Sequence, residues 1–182
     1  MQTEIIEEWI FGYFFNNFDH SINMRRTFYF LLFTFYLTGC LPAPYFQKEE
    51  TVPQNAWGYN FRPTFSIDIK DTTINYNAYF LIQHTQAYPY NNLWLWVYVK
   101  APGDSIIKKE RVNVPLAEAT GKWLGRGMGE IWEQRMAIDL GDSIKFNKQG
   151  TYEISLEQNM RINPLPEVMH VGLRLEKGGI RH

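Results

Sequence analysis

From Trp57 onward the chain changes polarity every second residue, in short bursts. Phe65, Ile67 and Ile69 alternate with Ser66, Asp68 and Lys70; Tyr152, Ile154 and Leu156 alternate with Glu153, Ser155 and Glu157. Val171, Leu173 and Leu175 alternate with Gly172, Arg174 and Glu176. A period of two sends successive side chains to opposite faces of a strand, so each burst predicts a strand buried on one side. Residues 77–83 and 131–138 are further candidate strands. Residues 93–99 differ: Leu93, Leu95, Val97 and Val99 take one face, and Trp94, Trp96 and Tyr98 the other. Apolar on both sides, this segment predicts a central covered strand whose aromatic stripe packs as core. Residues 106–114, rich in Lys and Arg, predict an edge strand. Turn signals separate the bursts: Asp71-Thr72-Thr73, Tyr88-Pro89-Tyr90-Asn91-Asn92, Pro102-Gly103-Asp104 and Gly141-Asp142. No long amphipathic helical period interrupts them. The pattern predicts an all-β domain over 57–177, an antiparallel β-sandwich, jelly-roll-like or alternatively immunoglobulin-like. Residues 178–182 read as a frayed tail.

Upstream, Arg25 and Arg26 precede an apolar stretch over 28–37, which ends in Leu37-Thr38-Gly39-Cys40. Basic, apolar and small-residue parts in that order form a secretory signal. Its ending resembles the lipobox of bacterial lipoproteins, which implies cleavage between Gly39 and Cys40 and lipidation of the Cys40 thiol. The apolar run is about 15 Å long as a helix, half of what a bilayer core of about 30 Å requires. Residues 24–39 are therefore expected to be a signal peptide. The first 23 residues carry Glu4, Glu7, Glu8 and Asp19 and no Lys or Arg, the wrong charge for the start of such a signal. Met24-Arg25-Arg26 makes a better start, and residues 1–23 are expected to be an upstream extension of the reading frame. Residues 40–56, with Pro42, Pro44 and Pro53, read as a lipidated tether. Lys48-Glu49-Glu50 lies far down it for a surface-export signal.

Removal of residues 1–39 leaves the 143 residues from Cys40 to His182, enough for one domain with its own core. This part holds 16 basic and 15 acidic side chains, a balance that gives no basis for nucleic-acid binding. Cys40 is the sole cysteine, which excludes a disulfide and a thiolate metal site.

Five ordered blocks carry a family likeness: Tyr88-Pro89-Tyr90-Asn91-Asn92-Leu93-Trp94-Leu95, Gly121-Lys122-Trp123-Leu124-Gly125-Arg126-Gly127-Met128-Gly129, Gly150-Thr151-Tyr152-Glu153-Ile154, Glu157-Gln158-Asn159-Met160-Arg161 and Val171-Gly172-Leu173-Arg174-Leu175-Glu176-Lys177. Together they resemble the gliding-motility lipoprotein H family, GldH, of the Bacteroidetes. The resemblance implies an envelope-anchored, non-catalytic lipoprotein that works with other gliding-motility proteins, near the machinery that also serves type IX secretion. It implies no cofactor and no catalytic residues. Leu41, rather than Asp, after Cys40 disfavours inner-membrane retention by the rule of enteric bacteria, so the outer membrane is the expected site.

Other constellations point to structure before chemistry. Gly125-Arg126-Gly127-Met128-Gly129 lacks the Lys-Ser/Thr of a phosphate loop and the helix of a dinucleotide fingerprint. Its glycines predict a loop that needs positive φ or close approach. Asp68, Asp71, Asp139 and Asp142 sit in turns, not in a spaced calcium loop. His84 and His170 have no metal-ligand or triad spacing. The candidate contact residues for a protein partner or a glycan are Tyr88, Tyr90, Asn92, Lys122, Trp123, Arg126 and Arg161. Were the Trp94-Trp96-Tyr98 stripe exposed instead of buried, it would offer a stacking platform for polysaccharide.

Overall fold

The computed structural model describes Tyr29 and residues 43–105, 107–139 and 146–180. Two compact units divide the chain, Met1–Ala43 and Pro44–His182. Of the first, Tyr29 lies in helical backbone and is exposed. The signal peptide, Gly39 and Cys40 lie outside the described residues. Among the described residues, no helix is long and apolar enough to cross a membrane.

The second unit is built from antiparallel strands: β1 (Phe46–Thr51), β2 (Ala56–Trp57), β3 (Thr64–Ile69), β4 (Ile74–Thr85), β5 (Asn92–Lys100), β6 (Ile107–Pro115), β7 (Arg126–Met128), β8 (Ile131–Ala137), β9 (Gly150–Gln158), β10 (Leu165–Pro166) and β11 (Val168–Ile180). One sheet has the order β1-β11-β4-β8-β7, the other β3-β9-β5-β6, and β2 pairs with β10. The antiparallel sandwich expected from the sequence is what forms. Most connections cross from one sheet to the other, as in a jelly roll.

Period two explains the core. Phe65, Ile67 and Ile69 from β3, the odd-numbered Leu93–Val99 set from β5, and Tyr152, Ile154 and Leu156 from β9 point inward from one sheet. Phe80 and Ile82 from β4 and Val171, Leu173 and Leu175 from β11 meet them from the other. Trp57 is fully buried and stacks on Phe80 with ring centres 6.4 Å apart, while its indole N–H donates to the Phe61 carbonyl at 2.8 Å. Each such side chain contributes roughly 1.5–3 kcal/mol on burial.

Three expectations are corrected. Residues 46–51 are not tether: they form β1, registered on β11 from Phe46↔Leu175 to Thr51↔His170, and Val52 behind them is buried. The frayed tail is also shorter than expected, because β11 continues to Ile180. Finally, Trp94, Trp96 and Tyr98 are not core. The odd-numbered residues of β5 already take the inner face, so the stripe faces outward, half-buried beneath cations. The Lys/Arg-rich strand β6 lies at a sheet edge, as its charge predicts.

Candidate functional site

The chain enters the sandwich at one end. Tyr45 donates its hydroxyl to the Asp68 carbonyl and accepts from the Lys70 amide, which fixes it beside the β3–β4 turn. In that turn Asp71 accepts from the Thr73 amide at 2.8 Å and hydroxyl at 2.6 Å, the turn role its sequence context predicts. The opposite end carries the β4–β5, β6–β7 and β9–β10 connections, and every sequence-predicted contact residue lies there or on the strand starting beside it.

His84 organises the middle of that end. It is fully buried, and Tyr88 and Trp123 pack on its ring with centres 5.3 and 4.6 Å away. Its Nδ1 lies 2.8 Å from the Thr85 carbonyl, an acceptor, so Nδ1 carries the proton. Nε2 then accepts from the Gln134 amide at 3.1 Å, and the same amide donates to the Leu116 carbonyl at 2.9 Å. Burial lowers the His84 pKa below its ordinary 6.5, so the ring is neutral near pH 7. An imidazole enclosed this way holds two loops together. Leu116 and Ala117 both donate to the Asn91 carbonyl, and Leu124 donates back to Leu116. The 116–124 segment is thereby folded on itself and on the β4–β5 turn.

This arrangement divides the predicted residues. Tyr88 is buried, its hydroxyl on the Asn92 carbonyl, and desolvation raises its pKa. It belongs to the interior and not to a contact surface, and Trp123 is half-buried against it. Tyr90 packs edge-on to Tyr88, and Asn92 donates to the Asn113 side chain. Lys122 and Arg126 are exposed on the outer side of this cluster, Lys122 facing Glu118 at 3.8 Å. Arg161 is exposed on a separate loop, which Gln158 braces through the Met160 amide and the Ile162 carbonyl.

Sequence reasoning missed the apolar surface of the same end. Met128 at the tip of the β7–β8 hairpin is 80% exposed, and Tyr59 and Ile162 are exposed too. Tyr59, with Pro53, Phe61 and Pro164, lines an open groove of about 640 Å³. The hairpin needs its glycines: a Cβ on Gly125, whose φ is +135°, would lie 2.5 Å from the Glu133 carbonyl, and one on Gly127 would meet the Trp132 ring at 3.0 Å. Among the described residues, no cluster of three or more His, Cys, Asp or Glu could hold a metal ion.

The sequence profile of the GldH lipoprotein family matches residues 44–175, the sandwich up to the last residues of β11. The chain belongs to the GldH lipoprotein family. It is 27% identical to the gliding motility lipoprotein GldH homolog of Christiangramia forsetii, over 85% of this chain and 98% of that protein. It is 26% identical to the gliding motility lipoprotein GldH of Flavobacterium johnsoniae, over 81% of this chain and 93% of that one. A solved structure of a carbohydrate-binding module, CBM28, specific for non-crystalline cellulose is similar with a TM-score of 0.45 and 9% identity, each chain covered over 73%. The five sequence blocks that resemble GldH run from the β4–β5 turn to β11, so the likeness runs through the fold and not through one loop.

Proposed function

We propose that this protein is a lipid-anchored component of the gliding-motility apparatus, acting without catalysis through protein–protein contacts. Family membership and the names of the two relatives support the motility role. The observation that carries the mode of action is the placement of Tyr59, Met128 and Ile162, exposed apolar side chains at the end of the sandwich remote from Tyr45. Exposed apolar side chains on loops suit a protein partner, and Lys122, Arg126 and Arg161, exposed at the same end, add polar contacts. His84 supports the non-catalytic reading, since both its ring nitrogens are engaged and it is sealed from solvent.

In this reading Cys40 is acylated after cleavage from Gly39 and tethers the protein to the outer membrane, alongside the type IX secretion machinery. Site-specific photo-crosslinkers at Met128, Tyr59 and Arg161, placed in living cells, test it. The expected product joins the protein to another envelope protein whose loss also stops gliding. No such product from these positions, or the same product from Lys70 at the other end, overturns the reading.

A further inference from the structure

The outer face of the sheet β3-β9-β5-β6 carries a second feature, separate from the loops. Trp94, Trp96 and Tyr98 stand in a row there, and strand pitch spaces neighbouring rings by about 6.6 Å. Each ring lies under a cation. The Arg111 guanidinium is 4.2 Å from the Trp94 ring centre, and the Lys109 ammonium is 3.9 Å from Trp96 and 5.0 Å from Tyr98. Arg62 lies 4.5 Å from Tyr98 and is also paired with Glu157. Cross-strand register builds this layer: Trp96 stands opposite Arg111 and Tyr98 opposite Lys109.

Other outward cations of the sandwich do reach carboxylates: Lys100 pairs with Glu153 and Arg62 with Glu157 on this sheet, and Arg135 and Arg174 on the other both reach Glu176, at 3.0 and 2.6 Å. Lys109 and Arg111 meet rings and, among the described residues, no carboxylate. A cation over a ring in solvent is weakly held, whereas a guanidinium and a carboxylate form strong, directional hydrogen bonds. An arriving carboxylate can therefore draw these cations aside and open the aromatic faces beneath. A ligand that satisfies both halves carries carboxylates on flat rings with an apolar C–H face. Acidic peptides carry their carboxylates on flexible stems and present no such face; neutral sugars leave the cations unpaired.

We propose that this face binds an acidic polysaccharide, with hexuronate rings stacking on Trp94 and Trp96 and their carboxylates pairing with Lys109 and Arg111. The site is independent of lipidation and of the loop contacts above, so it stands or falls separately from the proposed motility role.

Calorimetric titration of the intact lipidated protein in detergent tests it, with three probes: a galacturonate hexamer, cellohexaose and a poly-glutamate peptide of equal charge. The galacturonate hexamer alone is expected to bind, with affinity falling as salt rises. Trp96→Ala is expected to weaken it tenfold or more. Because Trp96→Ala also removes packing, Arg111→Gln serves as the second variant: an unchanged melting curve, with binding at least fivefold weaker and less salt-dependent. Absence of hexuronate binding, equal binding of cellohexaose, or equal binding of the peptide each overturns the proposal, the last in favour of an acidic protein.

Discussion

Two residues at the loop end show how local chemistry sets the stability of the surface above them. His84 has its pKa depressed by burial, so folding disfavours its protonated form. The stability it contributes is complete above about pH 6.5 and is lost as pH falls from there through the depressed folded value, because the unfolded chain binds the proton first. The slope from this one group is at most about 1.4 kcal/mol per pH unit. Urea titrations between pH 8 and pH 5 should show stability falling below pH 6.5, and His84→Gln should flatten that limb. Gly125→Ala should cost about 2–4 kcal/mol, since it strains a positive φ and drives a methyl against the Glu133 carbonyl; thermal melting measures it. Gly125 was legible in the sequence, because three alternate glycines in so short a span signal a backbone that cannot carry side chains. His84 was not, since a lone histidine at the end of a strand carries no periodic signal. Its role depends on Gln134 and Trp123, which lie some forty to fifty residues away in sequence.

At the scale of the element, period two was enough wherever a strand buries a full row of large apolar side chains. Strands β3, β5, β9 and β11 were readable because each sets three or four large apolar side chains on one face. Strand β1 was hidden because it buries little: Phe46-Gln47-Lys48-Glu49-Glu50-Thr51 has a single apolar residue, and the flanking prolines read as tether. Its place is nonetheless structural. Phe46 meets Phe65 with ring centres 6.4 Å apart, Val52 is fully buried, and the backbone pairs with β11 throughout. A chain beginning at Trp57 should therefore lose about 2 kcal/mol or more, from the buried Val52 and the half-buried Phe46 alone, relative to one beginning at Pro44. Urea unfolding followed by tryptophan fluorescence compares the two, and equal midpoints would contradict a structural β1. The aromatic stripe of β5 failed for the converse reason. Its period was legible, but the cover over Trp94 and Trp96 comes from Arg111 and Lys109, whose positions follow from register and not from local pattern.

For the whole molecule, moving the domain boundary from residue 57 back to Tyr45 changes how the lipid holds it. A tether reaching from Cys40 to residue 56 could have let the sandwich drift as far as about 58 Å from the bilayer. Five peptide steps lead from Cys40 to Tyr45 and span at most about 18 Å. Strand β4, with twelve residues, runs about 40 Å from the Tyr45 end to the loops at the other. The proposed lipidation at Cys40 thus confines one end of the sandwich near the lipid surface and leaves the Tyr59, Met128 and Ile162 end free to extend toward a partner. A fluorophore on Lys70→Cys, beside Tyr45, should be quenched by nitroxide headgroups in vesicles carrying the lipidated protein, and one on Met128→Cys far less. Acylation of Cys40 leaves each introduced thiol as the sole site for labelling. Inserting fifteen Gly/Ser residues between Pro42 and Ala43 adds a coil of about 22 Å root-mean-square length. It should relieve the quenching at position 70 while the melting temperature stays constant, because the insertion lies ahead of β1. Equal quenching at both positions would mean that the sandwich lies flat on the membrane, and its loop end would then have to meet a partner at the lipid surface.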